Sequence, residues 1–465
     1  MTTDMRYYLG IDLGTSGMKV MAASPDGTIR KEKAPYREAT PEGWLEAMEL
    51  ALRKLWQKVS PAEIAALSLS SQVGTYLTDG GEIIGWQSAA GTQELSEIKS
   101  QVTQAAFLSE IGMAHPDLIS YPLPRLLYIK RHHPNAQRVC MPKEFLMETL
   151  TGECVTDPFS YRGLCHPSTR LYSVALLNQF GIDLALPPVA SPTDLGGNVT
   201  PAAAGRFGIP QGTPVYLGCN DFFGGLLGMG VLSPSTVFEL SGTSEHFGAI
   251  TPSPVADSFV SGPYFEGCAT YGGTKSSGPS INYAIRELDM ASVTTDLAFE
   301  KAPLFLPYLT GERAPIFDEN ARGVFFGISP ETRQNHMAYA VMEGVVFSLY
   351  HIASHLGLSR GQVPTILVGG GAAVDPRMNQ MKASLWNAPV IRARETDSSA
   401  LGACILAMVG QGAFPTLRDA VSALVAYDDP VEPDQVLGER LMARFEIYQS
   451  LYPSLKGHFE AFSKL

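Results

Sequence analysis

Two glycine-threonine turns and one acidic loop hold the residues of this chain whose types and spacing can do chemistry. The turns are Asp12-Leu13-Gly14-Thr15-Ser16-Gly17-Met18-Lys19 and Ser241-Gly242-Thr243-Ser244, and the loop Gly218-Cys219-Asn220-Asp221 lies between them. Each turn follows an apolar, strand-like run. Glycine lets the backbone come close to a ligand, and the exposed amides and the Thr and Ser hydroxyls can donate to phosphate oxygens. Two such turns can grip one polyphosphate. Asp12 can hold a magnesium ion, directly or through water, and Asp221 can take a proton from an alcohol that attacks the terminal phosphate.

Each segment also has a plainer reading. A lone turn of this kind is more often an ordinary hairpin, Lys19 an exposed strand residue, and Asp221, where a strand gives way to a helix, an N-cap. The presence of all three segments together favours the chemical reading, with Lys19 added to the phosphate side.

The elements that must position these residues alternate between strands and helices, which marks an α/β chain. Residues 7–12, 18–24 and 27–33 read as a three-stranded meander broken by the first turn and by Pro25-Asp26-Gly27. Residues 44–59 carry Leu45, Met48, Leu52, Leu55, Trp56 and Val59 at helical spacing, and 64–70 return as a strand. A hairpin follows, with 75–78 and 82–86 flanking Asp79-Gly80-Gly81. Residues 213–218 read as a buried strand that delivers Asn220 and Asp221, followed by a small-residue helix over 224–230. A second cycle begins near Pro234, where 236–240 lead into the second turn as the first strand leads into the first. Residues 365–368 then run into Gly369-Gly370-Gly371-Ala372, and 398–409 form a helix rich in Ala, Leu and Gly. The triple glycine offers a flat surface for an adenine or ribose, or is simply a tight strand-to-helix turn. The two halves read as variants of one architecture.

Composition narrows the function classes. A chain of 465 residues exceeds what one core usually organises, and 45 % hydrophobic residues supply two. The net charge of -12, with no Lys/Arg cluster, speaks against nucleic acid or an anionic membrane as partner and for a small molecule. Six cysteines, scattered without ligand spacing, suit reduced thiols in the cytoplasm. No apolar leader precedes the first strand, and the apolar stretch 400–409 is too short to span a bilayer.

The order and spacing of these blocks, with Gly311-Glu312-Arg313-Ala314-Pro315, Asp318, Glu343-Gly344-Val345 and Ala400-Leu401-Gly402-Ala403, resemble the FGGY family of carbohydrate kinases. That family lies within the actin, hexokinase and Hsp70 ATPase superfamily, and the chain resembles its xylulokinase-like members. The resemblance implies two ribonuclease H-like (actin-like ATPase) domains with the active site in the cleft between them. Residues 1–233 form the sugar-binding domain, with the first phosphate loop and the catalytic Asp221, and residues 234–465 the nucleotide-binding domain. It further implies that Gly14, Thr15, Ser16, Gly242, Thr243 and Ser244 hold the ATP phosphates, Asp12 positions Mg2+, and Gly370, Gly371 and Ala372 meet the adenosine. A homodimer is expected from the same resemblance.

The acceptor side departs from the family pattern. Gln72-Val73-Gly74 stands where xylulokinase-like members have Gln-Met-His, and Trp86-Gln87-Ser88-Ala89-Ala90 lacks the aspartate and arginine that follow the tryptophan in many members. An Arg-Glu pair expected of glycerol kinases is also missing. Gln72, Trp86, Tyr121 and Asp221 are the expected acceptor contacts, with Lys143 and Asp157 as neighbours or scaffold. Trp86 and Tyr121 read equally as packing residues. Glu312, Arg313 and Asp318 read either as an ion-pair network or as substrate contacts. Ser384 stands where many relatives have an aspartate near the nucleotide. The expected activity is ATP-dependent phosphorylation of a primary hydroxyl on a small ketose or polyol, a pentulose such as xylulose. The rival readings are a non-catalytic sugar- or nucleotide-binding protein and a chaperone-like ATPase of the same superfamily.

Overall fold

The computed structural model describes residues 6–113, 118–166, 169–241, 245–255, 259–275, 277–294 and 301–465. Residues 242–244, the body of the second turn, and the side chain of Ala372 lie outside them.

Two six-stranded sheets dominate, one drawn from each half of the chain. In the first, Tyr7–Leu13 is buried along its whole length and takes the centre. Its antiparallel neighbour is Gly17–Ala23, which pairs in turn with Ile29–Pro35. On its other side lie Ile64–Ser71 and then Pro214–Asn220, both parallel, and Leu195–Asn198 closes the edge. The second sheet repeats this plan. Val237–Ser241 is central, His246–Thr251 and Cys268–Gly273 form the antiparallel arm, and Ile366–Gly370 and Val390–Arg392 the parallel one. Here the extra edge strand, Val260–Pro263, joins the antiparallel arm. The repeated cycle expected from the sequence is thus present as topology.

Element boundaries differ from the expectation where caps decide them. The first long helix is Pro41–Leu55, three residues earlier than its apolar spacing begins, because the Thr40 side chain accepts from Gly43 N (3.2 Å) and Pro41 suits the first turn. Similarly, the small-residue helix is Asp221–Gly228 and starts at Asp221, not at Gly224. Its N-cap is Asn220, whose Oδ1 accepts from Phe223 N at 2.8 Å. Asp221 is therefore not the N-cap of this helix.

One helix joins the halves. Ser398–Gly410 comes from the second half, yet it packs on Asp221–Gly228 and on the Tyr7–Leu13 strand. Contact is backbone to backbone. A Cβ on Gly402 would lie 2.0 Å from Gly224 O, one on Gly228 2.0 Å from Ser398 O, and one on Gly10 2.2 Å from Ala400 O. Ala400, Leu401, Cys404 and Ile405 consequently share one apolar core with Tyr8, Met21, Leu226 and Leu227. The longest strongly apolar helix, Gln334–His355, meets the length for a membrane crossing, but 83 % of its apolar window is buried inside the protein. It is a core helix of the second half.

Candidate active site

Strand register assembles the charged centre. Asp12 pairs with Lys19 on one flanking strand and Ser70 on the other, and Ser70 pairs with Cys219 on the next. One step past that strand, Asp221 opens its helix. Side chains follow the register: Ser70 Oγ donates to Asp12 Oδ1 at 2.9 Å, and Lys19 Nζ lies 3.5 Å from Asp12 Oδ2 and 3.6 Å from Asp397 Oδ1. Burial would lower the Lys19 pKa, but Asp12, Asp397 and Asp221 outweigh it and hold the ammonium above its usual value.

Asp221 is set apart from an ordinary surface carboxylate. Its Oδ1 accepts from Phe222 N at 2.8 Å. Burial, and then the charge of Asp12, push its pKa up to about 7 against the opposing pull of that amide, Lys19 and Arg162. A carboxylate poised near neutrality can accept a proton at physiological pH and release it afterwards.

A cavity of about 610 Å³ opens on one side of Asp221. Asp12, Gly14, Thr15, Ser16 and Lys19 line it from the first half, and Ser241, Gly370 and Gly371 from the second. Ser241 binds the second-half segments together: it pairs with Gly370, donates from Oγ to Gly369 O (2.8 Å), and accepts from Ala373 N (3.0 Å). Gly370 has φ +86°, and a Cβ there would stand 1.9 Å from Ser241 O, so the turn requires glycine. Of the expected phosphate and nucleotide residues, Gly242, Thr243 and Ser244 lie outside the described residues, while Ala372 contributes the start of the turn Ala372–Val374.

A smaller cavity, about 260 Å³, opens on the other side. Gln72, Trp86, Tyr121 and Asp221, the expected acceptor contacts, all line it. Thr15, Asp221, Phe222 and His246 line both cavities, so the two meet at Asp221. Trp86 is half-buried at the cavity wall, not a core residue. Its loop is clamped from below by the buried Arg125, whose Nη2 donates to the carbonyls of Gly85 (3.1 Å), Trp86 (3.3 Å) and Ser88 (2.9 Å).

Lys143 and Asp157 act as scaffold. Lys143 Nζ is buried 3.1 Å from Glu144 and 3.2 Å from Asp157. Asp157 Oδ1 in turn accepts from Phe159 N (2.8 Å) and Ser160 N (3.0 Å), which bends the next residues, Ser160 and Arg162, into the cavity wall. Arg162, Tyr271 and His246 escaped the sequence reading. Nothing in a single irregular loop distinguishes an arginine that faces a cavity from one that faces solvent.

The Gly311-Pro315 block divides. Arg313 lines the smaller cavity. Glu312 is buried, and its Oε1 accepts from Lys275 N (2.5 Å) and Arg313 N (2.7 Å). Asp318 accepts from Asn320 N (2.8 Å) and Tyr452 Oη (2.9 Å). The ion-pair network is not formed among these three. Ser384 does not line the nucleotide-side cavity: its Oγ accepts from Asp434 N (3.1 Å) and fixes the start of the last long helix, Gln435–Phe462. A separate cleft of about 630 Å³, walled by Phe159, Arg170 and Phe265 among others, contains none of the acids or glycine turns described above.

Comparison with known proteins agrees with this arrangement. The model of the N-terminal domain of the FGGY family of carbohydrate kinases matches residues 7–228, and that of the C-terminal domain residues 240–411. The xylulose kinase of Lactococcus lactis is 29 % identical, with 96 % of this chain and 95 % of that protein aligned. The gluconokinase of Bacillus subtilis is 26 % identical over 90 % of each. Among solved structures, ligand-bound xylulose kinase from Lactobacillus acidophilus superposes with a TM-score of 0.85 at 25 % identity, covering 98 % of this chain and 100 % of that one. Gluconate kinase from the same species gives 0.85 at 24 % identity with the same coverage, which supports the shared fold. The fold is the actin-like ATPase fold, and the chain belongs to the FGGY family of carbohydrate kinases, phosphotransferases that act on sugar-class alcohols.

Proposed function

We propose that the chain transfers the γ-phosphate of ATP to a primary hydroxyl of a monosaccharide-sized acceptor, with Asp221 as the base. The observation that carries this reading is the meeting of two cavities, about 610 and 260 Å³, at one carboxylate. ATP occupies the larger. Its phosphates lie against Gly14, Thr15, Ser16, Lys19 and the second turn, Gly242, Thr243 and Ser244. Its adenosine lies toward Gly370, Gly371 and Ala372. The acceptor occupies the smaller, against Gln72, Trp86 and Tyr121. Residues 1–233 and 234–465 then act as two lobes.

In the reaction the acceptor oxygen bonds to Pγ as the bond from Pγ to the β–γ bridging oxygen breaks. The hydroxyl proton passes to Asp221, and ADP leaves with the bridging oxygen. Phe222 N holds one Asp221 oxygen and leaves the other for the acceptor hydroxyl. Lys19 offsets the negative charge gathered at Asp12 and around the phosphates.

Magnesium fits this site as an ion carried mainly by the nucleotide. Asp12 and Asp221 are close enough for the charge of one to raise the pKa of the other, and a cation between ATP and Asp12 would relieve that repulsion. Mg2+ keeps several waters and needs only one or two carboxylates when phosphates supply the rest. Bound there, it would neutralise the charge that develops on the β- and γ-oxygens.

The pentulose expected from the sequence is an acceptor type named among the relatives, and gluconate is another. A cytoplasmic location suits either. Retention of Asp12, Asp221 and the first turn in one cleft favours turnover over a purely binding role. The test is ADP release from MgATP across pentuloses, hexuloses, polyols and sugar acids, with Asp221→Ala as the blank. Turnover that survives in Asp221→Ala removes that residue as base, and silence across the panel with ATP binding intact favours a non-catalytic protein.

A further inference from the structure

The smaller cavity holds an arginine that nothing in the transfer step requires. Arg162 Cζ lies 4.9 Å from the Phe223 ring centroid, 5.4 Å from that of Tyr121, and 5.9 Å from those of both Phe222 and Tyr271. Four rings therefore hold its guanidinium in place. Among the described residues no carboxylate forms an ion pair with it, and its Nη1 is shut off from solvent without a hydrogen-bond partner. Gln72 Oε1, on the same wall, is likewise buried and unpartnered. Native proteins seldom leave such groups unsatisfied, least of all a charged one, unless a ligand completes them.

A second cation lines the same cavity. Arg313 has no ion-pair partner among the described residues, and His246 senses both arginines: burial, then Arg313 and Arg162, hold its pKa down to about 3, so it adds no charge. Among the described residues the one acid on the wall is Asp221, already engaged by Phe222 N and Lys19. Burial and the charge of Asp12 act on Asp221 more strongly than Arg162 does. In a chain of net charge -12, this cavity presents two guanidiniums to an acceptor and only the catalytic carboxylate against them.

We propose that Arg162, with Arg313 beside it, recognises a carboxylate on the acceptor, making this a kinase of sugar acids in preference to neutral ketoses and polyols. The planar guanidinium fork matches a carboxylate with two parallel hydrogen bonds, and its flat face suits the aromatic box that orients it. A neutral acceptor would leave both charges uncompensated in a confined site. The inference rests on the assignment of this cavity to the acceptor, and the experiment separates the two.

The kcat/KM of matched acceptors, D-gluconate against D-sorbitol and D-xylonate against D-xylulose, is measured for the wild type, Arg162→Met and Arg162→Lys. The wild type is expected to prefer the acid of each pair. Arg162→Met should lower the acid-to-neutral ratio about 100-fold, chiefly through KM for the acid, and Arg162→Lys about tenfold because it keeps the charge without the fork. ATP-induced thermal stabilisation checks that each variant is folded, and Arg162→Lys carries the comparison where Arg162→Met is not. Preference of the wild type for the neutral partners, or a ratio unchanged in both variants, overturns the proposal and leaves the kinase reading standing. Where neither class turns over, the kinase reading fails by itself. Thermal stabilisation by D-gluconate then decides the anion site: a shift lost in Arg162→Met sustains it, and no shift in the wild type overturns it.

Discussion

The two sheets have the same strand order at their centres, yet the ends of their central strands are chemically opposite. In the first, Asp12 lines the cleft though its side chain is only 1 % exposed, and its partner Lys19 is 35 % exposed and open to a ligand. In the second, the charge has withdrawn below the surface: Glu239 and Lys382 form a 2.6 Å pair with each side chain 1 % exposed, and Ser241 and Gly370 are what line the cavity. The first sheet thus sets a charged pair beside the cleft. The end of the second sheet's central strand supplies backbone and glycine, which accept a ligand's bulk without presenting a charge to it.

The contrast can be broken most severely at its active end. Asp221→Ala is expected to reduce kcat by about 10³-fold or more, the scale of a lost general base, with ATP affinity within a few-fold of wild type by calorimetry. Next is the buried pair of the second sheet. Lys382→Met leaves Glu239 buried and uncompensated and should cost about 3–5 kcal/mol in denaturant unfolding, while Asp12→Asn leaves behind a Lys19 that is 35 % exposed and still 3.6 Å from Asp397, and should cost far less. An Asp12→Asn variant as destabilised as Lys382→Met would erase the distinction drawn between the sheets. Gly370→Val, strained at φ +86° and driven into Ser241 O, should weaken ATP by about 10–100-fold and leave acceptor binding little changed.

The pH profile sharpens the comparison at lower amplitude. Asp221 is useful only when ionised and titrates at about 7, so kcat/KM for the acceptor should rise tenfold per pH unit below neutrality and level off above it. Because the charge of Asp12 helps to raise that pKa, Asp12→Asn should move the rising limb to lower pH. A limb that stays in place, or moves up, would show that the two carboxylates are not coupled as described. The smallest expected effect is at Trp86→Ala, about tenfold in KM for the acceptor with KM for ATP unchanged.

Legibility in the sequence followed the same division. Backbone-based sites announce themselves because glycine is the one residue that permits their geometry, so the first turn and the Gly369-Gly371 run stood out by composition. Asp221 stood out because a strand delivers it directly to a helix. The acceptor wall was harder to read. Trp86, Tyr121, Arg162, Tyr271 and Arg313 come from five separate stretches, and side chains brought together by tertiary structure leave no local spacing to detect. Gln72 and Trp86 were found through the family resemblance, whereas Arg162 had no such pointer and depends on the Lys143-Asp157 scaffold beneath its loop. Helix starts at Pro41 and Asp221 were missed for another reason: a cap outranks apolar periodicity in setting where a helix begins.

The docking of Ser398–Gly410 onto the first sheet has a consequence for how the protein is made. On the ribosome, that helix is synthesised roughly 170 residues after Gly228, the glycine it must meet. At about 5–20 residues per second the first half waits roughly 10–30 s with the Gly10, Gly224 and Gly228 surface uncovered. The nascent first half therefore exposes, until that helix arrives, a face that the finished protein buries.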